Sequence, residues 1–339
     1  MHCQLNDLLS RAHIVSLPLR TQFRGVTHRE AVLFEGTATV AGMPVWSEFS
    51  PFLEYDVPEA SAWLAAAIEY GFDPTLPRFE SGSVPVNATV PAVAADEVAG
   101  VLAPFGDCPA VKVKVAERGQ RLADDLARLA AVRDALPAAR VRIDANRGWS
   151  LDEAEDALVA IAAAGFELEY AEQPVATVAE LAELRQRLRA RGLAVPIAAD
   201  ESVRKVDDPL EVARAGAADH VVVKVQPLGG VRRAAAVVEQ CELTATVSSA
   251  LETSVGMVMG AQLAARLPEP RFAAGLGTVS LFTADVLEEP RVPVDGQVSL
   301  APAVPSPRLL AEHAASGDRR DWWLARIRDC YAHLAAQRF

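Results

Sequence analysis

The chain has 339 residues, 51% of them hydrophobic and 23% charged, with a formal charge of −12. That composition excludes a disordered chain, and the length allows about two domains of ~150 residues each. The acidic balance excludes a protein built to neutralise phosphates, and no apolar run approaches the ~18 residues of a membrane span.

Met1–Ser16 lacks the basic-then-apolar pattern of a secretory signal. Cys3, Cys108, Cys241 and Cys330 are scattered, with neither metal-ligand spacing nor a disulfide framework. The expectation is a soluble, cytoplasmic protein with a small-molecule carboxylate substrate, no nucleic-acid or membrane partner and no obligate protein partner.

In chain order, Ala31–Ala41 and Val45–Phe49 read as strands broken at Gly36 and Gly42, and Pro58–Tyr70 as a helix stopped by Gly71. A turn-rich stretch, Pro74–Pro77 and Gly82, marks a boundary near residue 83. Beyond it, short β-branched runs alternate with alanine-rich helical segments. The runs are Val84–Val90, Ala110–Val115, Val141–Ala145, Phe166–Ala171, Pro196–Ala199, His220–Val225, Ala245–Ser248 and Phe272–Leu276. Eight buried-looking strands separated by helices predict a parallel sheet, and eight closes a TIM-type (β/α) barrel.

Ser150 with Glu153 and Thr177 with Glu180 have capping-box spacing, Asp208-Pro209 reads as an N-cap, and Gly165, Gly192 and Gly216 as helix ends. Pro302–Pro307 is linker-like, and Arg319–Ala336 is an amphipathic helix carrying Trp322, Trp323 and Ile327. The predicted organisation is an α+β cap of residues 1–83, completed by about 285–339, and a barrel of 84–284.

Polar residues in these apolar strands recur with a period. Lys114 is followed by Asp144 after 30 residues, Glu172 after 28, Asp200 after 28, Lys224 after 24 and Ser248 after 24. Strand-plus-helix units of a barrel have about that length, and each residue sits near the C-terminal end of its strand, the face that carries barrel active sites. Asp144, Glu172 and Asp200 together read as an all-oxygen site for Mg²⁺ or Mn²⁺, because like carboxylates brought together require a cation. Lys112 and Lys114 share one strand face, and a lysine in the field of a dication suits proton abstraction.

Arg142, two before Asp144, could meet a substrate carboxylate or pair within the ring of charges. Ser248 and Ser249 could hold an anion. None of the six histidines (His2, His13, His28, His220, His313, His333) falls at a strand C-terminus, which disfavours histidine-based chemistry. Gly229-Gly230 could cradle a phosphate or simply turn the chain.

Val111-Lys-Val-Lys114, Arg142-Ile-Asp-Ala-Asn-Arg147, Glu172-Gln-Pro174, Ala199-Asp-Glu-Ser202 and Val223-Lys-Val-Gln-Pro227 together resemble the enolase superfamily, in its muconate lactonising branch. Trp46-Ser-Glu-Phe-Ser-Pro51 is similar to a strand of that family's cap. The resemblance implies Asp144, Glu172 and Asp200 as Mg²⁺ ligands, Lys114 as base and Lys224 on the opposite side of an enediolate. It also implies Lys112, Arg142, Asn146, Ser248, Ser249 and Gly275 as substrate contacts.

Ser248-Ser-Ala-Leu-Glu-Thr-Ser254 and Gly275-Leu-Gly-Thr278 are similar to those of a hydro-lyase in this branch that dehydrates a succinyl-bearing cyclohexadiene carboxylate. N-succinylamino-acid racemases and dipeptide epimerases share the lysine pair, so the motifs leave that alternative open. A catalytically silent barrel is the non-enzyme alternative. The cap segment Arg20–Gly25 would help to decide between the enzymes.

Overall fold

In the computed structural model, the described residues are 3–23, 26–204, 208–269 and 272–337. His2, and Arg24 and Gly25 of the cap segment, lie outside them.

The N-terminal region opens with helix α1 (Leu5–Ser10), followed by an antiparallel sheet of β1 (Ala12–Phe23), β2 (Val26–Val40) and β3 (Met43–Phe49) in that order. Sequence reading missed β1, whose polar residues and Pro18 dilute the strand signal. Helix α2 (Val57–Phe72) starts at Asp56, whose Oδ1 accepts from the backbone N–H of Glu59 at 2.9 Å. Gly36 and Gly71 are not the expected breakers, since each lies inside its element. A Cβ on Gly36 would come within 1.9 Å of the Gly71 carbonyl oxygen. These glycines let the helix lie directly on the sheet.

The second region is the expected barrel. Seven parallel strands stand side by side in chain order: β5 (Ala88–Val90), β6 (Ala110–Lys114), β7 (Arg140–Asp144), β8 (Leu168–Glu172), β9 (Ile197–Ala199), β10 (His220–Val223) and β11 (Thr244–Val247). The expected eighth strand, Phe272–Leu276, is reduced to two bridges. Ala274 pairs with Val86 on one edge and Ser248 with Gly275 on the other, both parallel. Ala274 donates to the Pro85 carbonyl at 2.7 Å and Gly275 to that of Val247 at 2.8 Å, so the ring closes through a segment too short to form a ladder. The run Val84–Val90 is divided as well: β4 (Ser83–Pro85) pairs antiparallel with β12 (Gln297–Ser299), and only β5 joins the barrel.

Helices α3 (Val98–Leu102), α4 (Leu122–Ala135), α5 (Leu151–Ala163), α6 (Val178–Ala190), α7 (Glu201–Arg204), α8 (Glu211–Arg214), α9 (Val231–Cys241) and α10 (Ser254–Ala264) fill the crossovers. Both expected capping boxes form: Glu153 accepts from Ser150 N–H, and Glu180 from Thr177 N–H, at 2.9 Å each. Gly165, Gly192 and Gly216 all have positive φ just past their helices. Asp208 instead accepts from Leu210 N–H in a turn, and α8 begins only at Glu211.

The chain ends in α11 (Pro307–Glu312) and α12 (Gly317–Ala336). Helix α12 packs on α2, and Trp323 and Ile327 enter the core of the first region. All four cysteines are buried and free. Among the described residues no helix is long and apolar enough to cross a membrane.

Candidate active site

Alternation along each barrel strand sends every second side chain inward. On β6 these are Lys112 and Lys114, on β7 Arg142 and Asp144, and on β8 Tyr170 and Glu172. Register pairs Lys114 with Asp144 and Asp144 with Glu172, so these residues ring the mouth at one level. Asp200 and Lys224 continue the ring just past β9 and β10.

The acids and bases are interleaved. Lys114 Nζ donates to Asp144 Oδ2 at 2.5 Å, and Lys224 Nζ to Asp200 Oδ2 at 2.5 Å. Lys112 Nζ lies 3.1 Å from Glu172 Oε2 and 3.5 Å from Asp144 Oδ2. Burial alone would lower the Lys112 ammonium, but Glu172 and Asp144 outweigh it and hold the group above its ordinary value. Burial, reinforced by the charge of Asp144, pushes the Glu172 carboxyl up. Asp144 is lowered: burial opposes its charge, and Lys114 and Lys112 overcome that opposition.

The rim is locally strained. Asn146 (φ 45°), two residues past β7, and Gln173 (φ 39°), directly after β8, take left-handed backbone. Asn146 Oδ1 accepts from Lys114 Nζ at 2.6 Å, and its own N–H donates to Asp144. Gln173 was missed as a functional residue. Its Oε1 accepts from the N–H groups of Asp200 and Ser202, and its Nε2 donates to Ser202 Oγ at 2.8 Å. It therefore ties the end of β8 to the loop that carries Asp200. A glutamine directly after Glu172 was the available signal, but its partners lie 27 and 29 residues away and have no local signature.

Arg142 takes the second of its two expected roles, pairing within the barrel. It sits one layer below Asp144 with no exposed surface. Nε donates to Glu169 Oε2 at 2.5 Å, and Nη1 to Asn87 Oδ1 and to the Ala273 carbonyl. The guanidinium also lies over the Tyr170 ring at 4.8 Å. Glu169 turns toward it because the pairing of β7 with β8 shifts by one residue there, a bulge that re-aims a side chain. Arg142 thus belongs to a packed floor, alongside His220, which stacks on Tyr170 at 4.8 Å. Burial and the Arg142 charge lower the His220 pKa to about 3, so the ring stays neutral.

Ser248 and Gly275 form the closing bridge, and a Cβ on Gly275 would lie 2.7 Å from Ser248 Oγ. Ser249 Oγ meets Thr278 Oγ1 at 2.9 Å. The Gly229-Gly230 loop is no phosphate cradle, because the helix N–H groups behind it are taken by the Glu69 carboxylate.

Among the described residues no three His, Cys, Asp or Glu side chains are gathered closely enough to hold an ion. Asp144, Glu172 and Asp200 are matched by lysine ammonium groups instead. Their chemistry nonetheless fits a hard divalent cation: all donors are oxygen, all three groups are buried, and burial, with Asp144, drives Glu172 toward protonation.

The closed barrel sets Lys112, Lys114 and Lys224 against three buried carboxylates at its mouth. The enolase C-terminal domain-like family profile matches residues 93–305, and the enolase N-terminal domain-like profile residues 14–71. The chain belongs to the enolase superfamily, whose enzymes generally use a divalent metal ion. It is 53% identical to the o-succinylbenzoate synthase of Mycolicibacterium smegmatis over 97% of each chain. Identity to the o-succinylbenzoate synthase of Mycobacterium leprae is 49%, covering 97% of this chain and 94% of that one. The fold is similar to muconate lactonizing enzyme from Pseudomonas fluorescens, with TM-score 0.72 and 20% identity over 90% of this chain and 98% of that one.

Proposed function

We infer that the protein is a hydro-lyase that converts 2-succinyl-6-hydroxy-2,4-cyclohexadiene-1-carboxylate to o-succinylbenzoate in menaquinone biosynthesis, with Mg²⁺ as its ion, in the cytoplasm. The observation that carries this reading is the 53% identity, over 97% of both chains, to a protein named for that product. The disposition of Lys114 and Lys224, each against a different member of the carboxylate trio, supports it.

Asp144, Glu172 and Asp200 would hold the ion, which would supply positive charge to offset the negative charge that develops on the substrate carboxylate. Lys114 Nζ, in its neutral form, takes the proton from the carbon α to that carboxylate. The electron pair released there expels the β-hydroxyl, which leaves as water with the proton that Lys114 took, and the ring becomes aromatic. Asn146 orients Lys114 through the bond to its Nζ. Lys224 offsets the developing negative charge from the other side and meets the ring as a cation–π partner. Lys112 balances Glu172 and Asp144 between the two. Ser248, Ser249 and Gly275 are assigned to the succinyl side, and the region of residues 1–83 with 285–339 to the cap over a barrel of 84–284.

The test is to supply purified protein and Mg²⁺ with the cyclohexadiene acid and to follow aromatic product by its ultraviolet absorbance. Rapid appearance of product is expected. Racemisation of N-succinyl amino acids without any dehydration would replace this reading with the racemase.

A further inference from the structure

The first four N–H groups of a helix have no partner within it, and a buried helix must find them elsewhere. Helix α10 is buried along its whole length. Its donors are satisfied from three separate parts of the chain. Ser254 N–H goes to Asp285, Val255 N–H to Thr253 Oγ1, and Gly256 N–H to Glu48 Oε2 at 3.0 Å. The same Glu48 oxygen accepts from Thr253 Oγ1 at 2.6 Å.

Glu48 comes from β3 of the first region, more than 200 positions away in sequence. Helix α9 repeats the arrangement. Val231 N–H donates to Glu69 Oε2 at 2.5 Å and Arg232 N–H to Glu69 Oε1 at 3.3 Å, with Glu69 on α2. Each carboxylate reaches its helix past a glycine. A Cβ on Gly256 would lie 2.6 Å from Glu252 Cβ and 2.9 Å from Glu48 Oε2, and one on Gly230 would lie 2.5 Å from Glu69 Oε2.

These helices follow the loops that carry Lys224 and Ser248–Ser249. Ser50, two residues after Glu48 and bonded to it at 2.6 Å, donates its N–H to Gln226 Oε1 at 3.1 Å. The loop after Lys224 is therefore gripped at Gln226 and again at Val231. Arg29, buried in the first region, donates to the Leu251 carbonyl at 3.0 Å and to that of Ser50, joining the second loop to β3.

We propose that Glu48 and Glu69 are positioning residues: N-caps supplied in trans by the first region, which hold the two barrel loops bearing Lys224 and Ser248–Ser249 in working register. A carboxylate at a helix N-terminus is favoured by the helix dipole as well as by its hydrogen bonds. The catalytic part of this proposal rests on the reading of Lys224 and the two serines given above. The capping part does not.

The experiment uses the full chain and the variants Glu48→Gln, Glu69→Gln, Gly256→Ala and Gly230→Ala, with Glu30→Gln as control. Glu30 bonds Arg319 and Trp323 within the first region and touches neither loop. Amide exchange is measured across residues 225–232 and 249–257, together with kcat, KM and Mg²⁺ affinity by calorimetry.

The Glu48 and Gly256 variants should raise exchange about tenfold in 249–257, and the Glu69 and Gly230 variants in 225–232. In each, kcat should fall roughly tenfold while Mg²⁺ affinity stays within about twofold. Glu30→Gln should lower Tm and change neither exchange nor kcat. Unchanged exchange in the two loops overturns the proposal, as does a Glu30→Gln protein that matches the others. Should one glutamine variant fail to fold, its glycine counterpart decides. A wild-type protein inactive on the cyclohexadiene acid would sink the functional reading, while exchange would still decide the capping.

Discussion

Asp144 and Arg142 lie two residues apart on β7, both facing into the barrel, yet they serve different ends. Around Asp144, at the mouth, acids and bases alternate and each lysine is matched to a carboxylate at the rim. Around Arg142, at the floor, the charge is committed to Glu169, Asn87 and a carbonyl, and packed against Tyr170 and His220. One layer of depth separates side chains that meet at the mouth from a guanidinium bonded to Glu169, Asn87 and a carbonyl. A polar residue inside a barrel is thus not by itself a functional one. What decides is the set of partners each side chain meets, since Asp144 and Arg142 are both fully buried.

If the mouth carries the chemistry and the floor the stability, variants in the two layers should fail in different assays. The largest effect is expected at Lys114. Lys114→Ala should reduce dehydration by about 10³-fold or more with Tm nearly unchanged. Lys224→Arg, which keeps its charge but hardly deprotonates, should retain more dehydration than Lys114→Arg. Equal losses in the two arginine proteins would show that both lysines exchange protons and would favour the racemase.

Next comes the ion. Chelation should abolish turnover and added Mg²⁺ or Mn²⁺ restore it; full activity in metal-stripped protein would remove the trio from the mechanism.

Arg142→Met should do the opposite of the lysine variants. Loss of the guanidinium leaves Glu169 and Asn87 without their buried partner, which should cost about 3–5 kcal/mol in denaturant unfolding. KM and Mg²⁺ affinity of the folded fraction should be unaltered. A raised KM at normal stability would return Arg142 to the substrate.

The last contrast concerns pH. Folded His220 resists protonation down to about pH 3, against 6.5 for an unperturbed ring. Between those values the unfolded chain binds the extra proton, so stability falls as pH falls, by up to about 1.4 kcal/mol per unit. His220→Gln should flatten the dependence of Tm on pH across that window. An unchanged slope would mean that the imidazole is not held neutral.

Much of this was legible in the chain itself. The alternation of β-branched runs with helical segments, the helix caps at Ser150 and Thr177, and the period of the strand-end charges all express local rules: side-chain direction, orphan N–H groups and the length of a strand-plus-helix unit. Those rules act within about thirty residues, so a single sequence displays them. By themselves they place Lys114, Asp144, Glu172, Asp200 and Lys224 on one face.

Only the tertiary structure decided the rest, because the deciding contacts join distant segments. Phe272–Leu276 reads as a strand but closes the barrel with two bridges, since its neighbours are set by ring closure rather than by its own composition. Arg142 reads equally as ligand or ion pair until the bulge at Glu169 delivers its partner. Gly71 reads as a helix stop until the approach of Gly36 shows why no side chain fits there. Gly229-Gly230 reads as a phosphate cradle or a plain turn until Glu69, from another region, fills the space. Propensity and spacing determine which face a residue occupies; what stands opposite that face is set by packing across the whole chain.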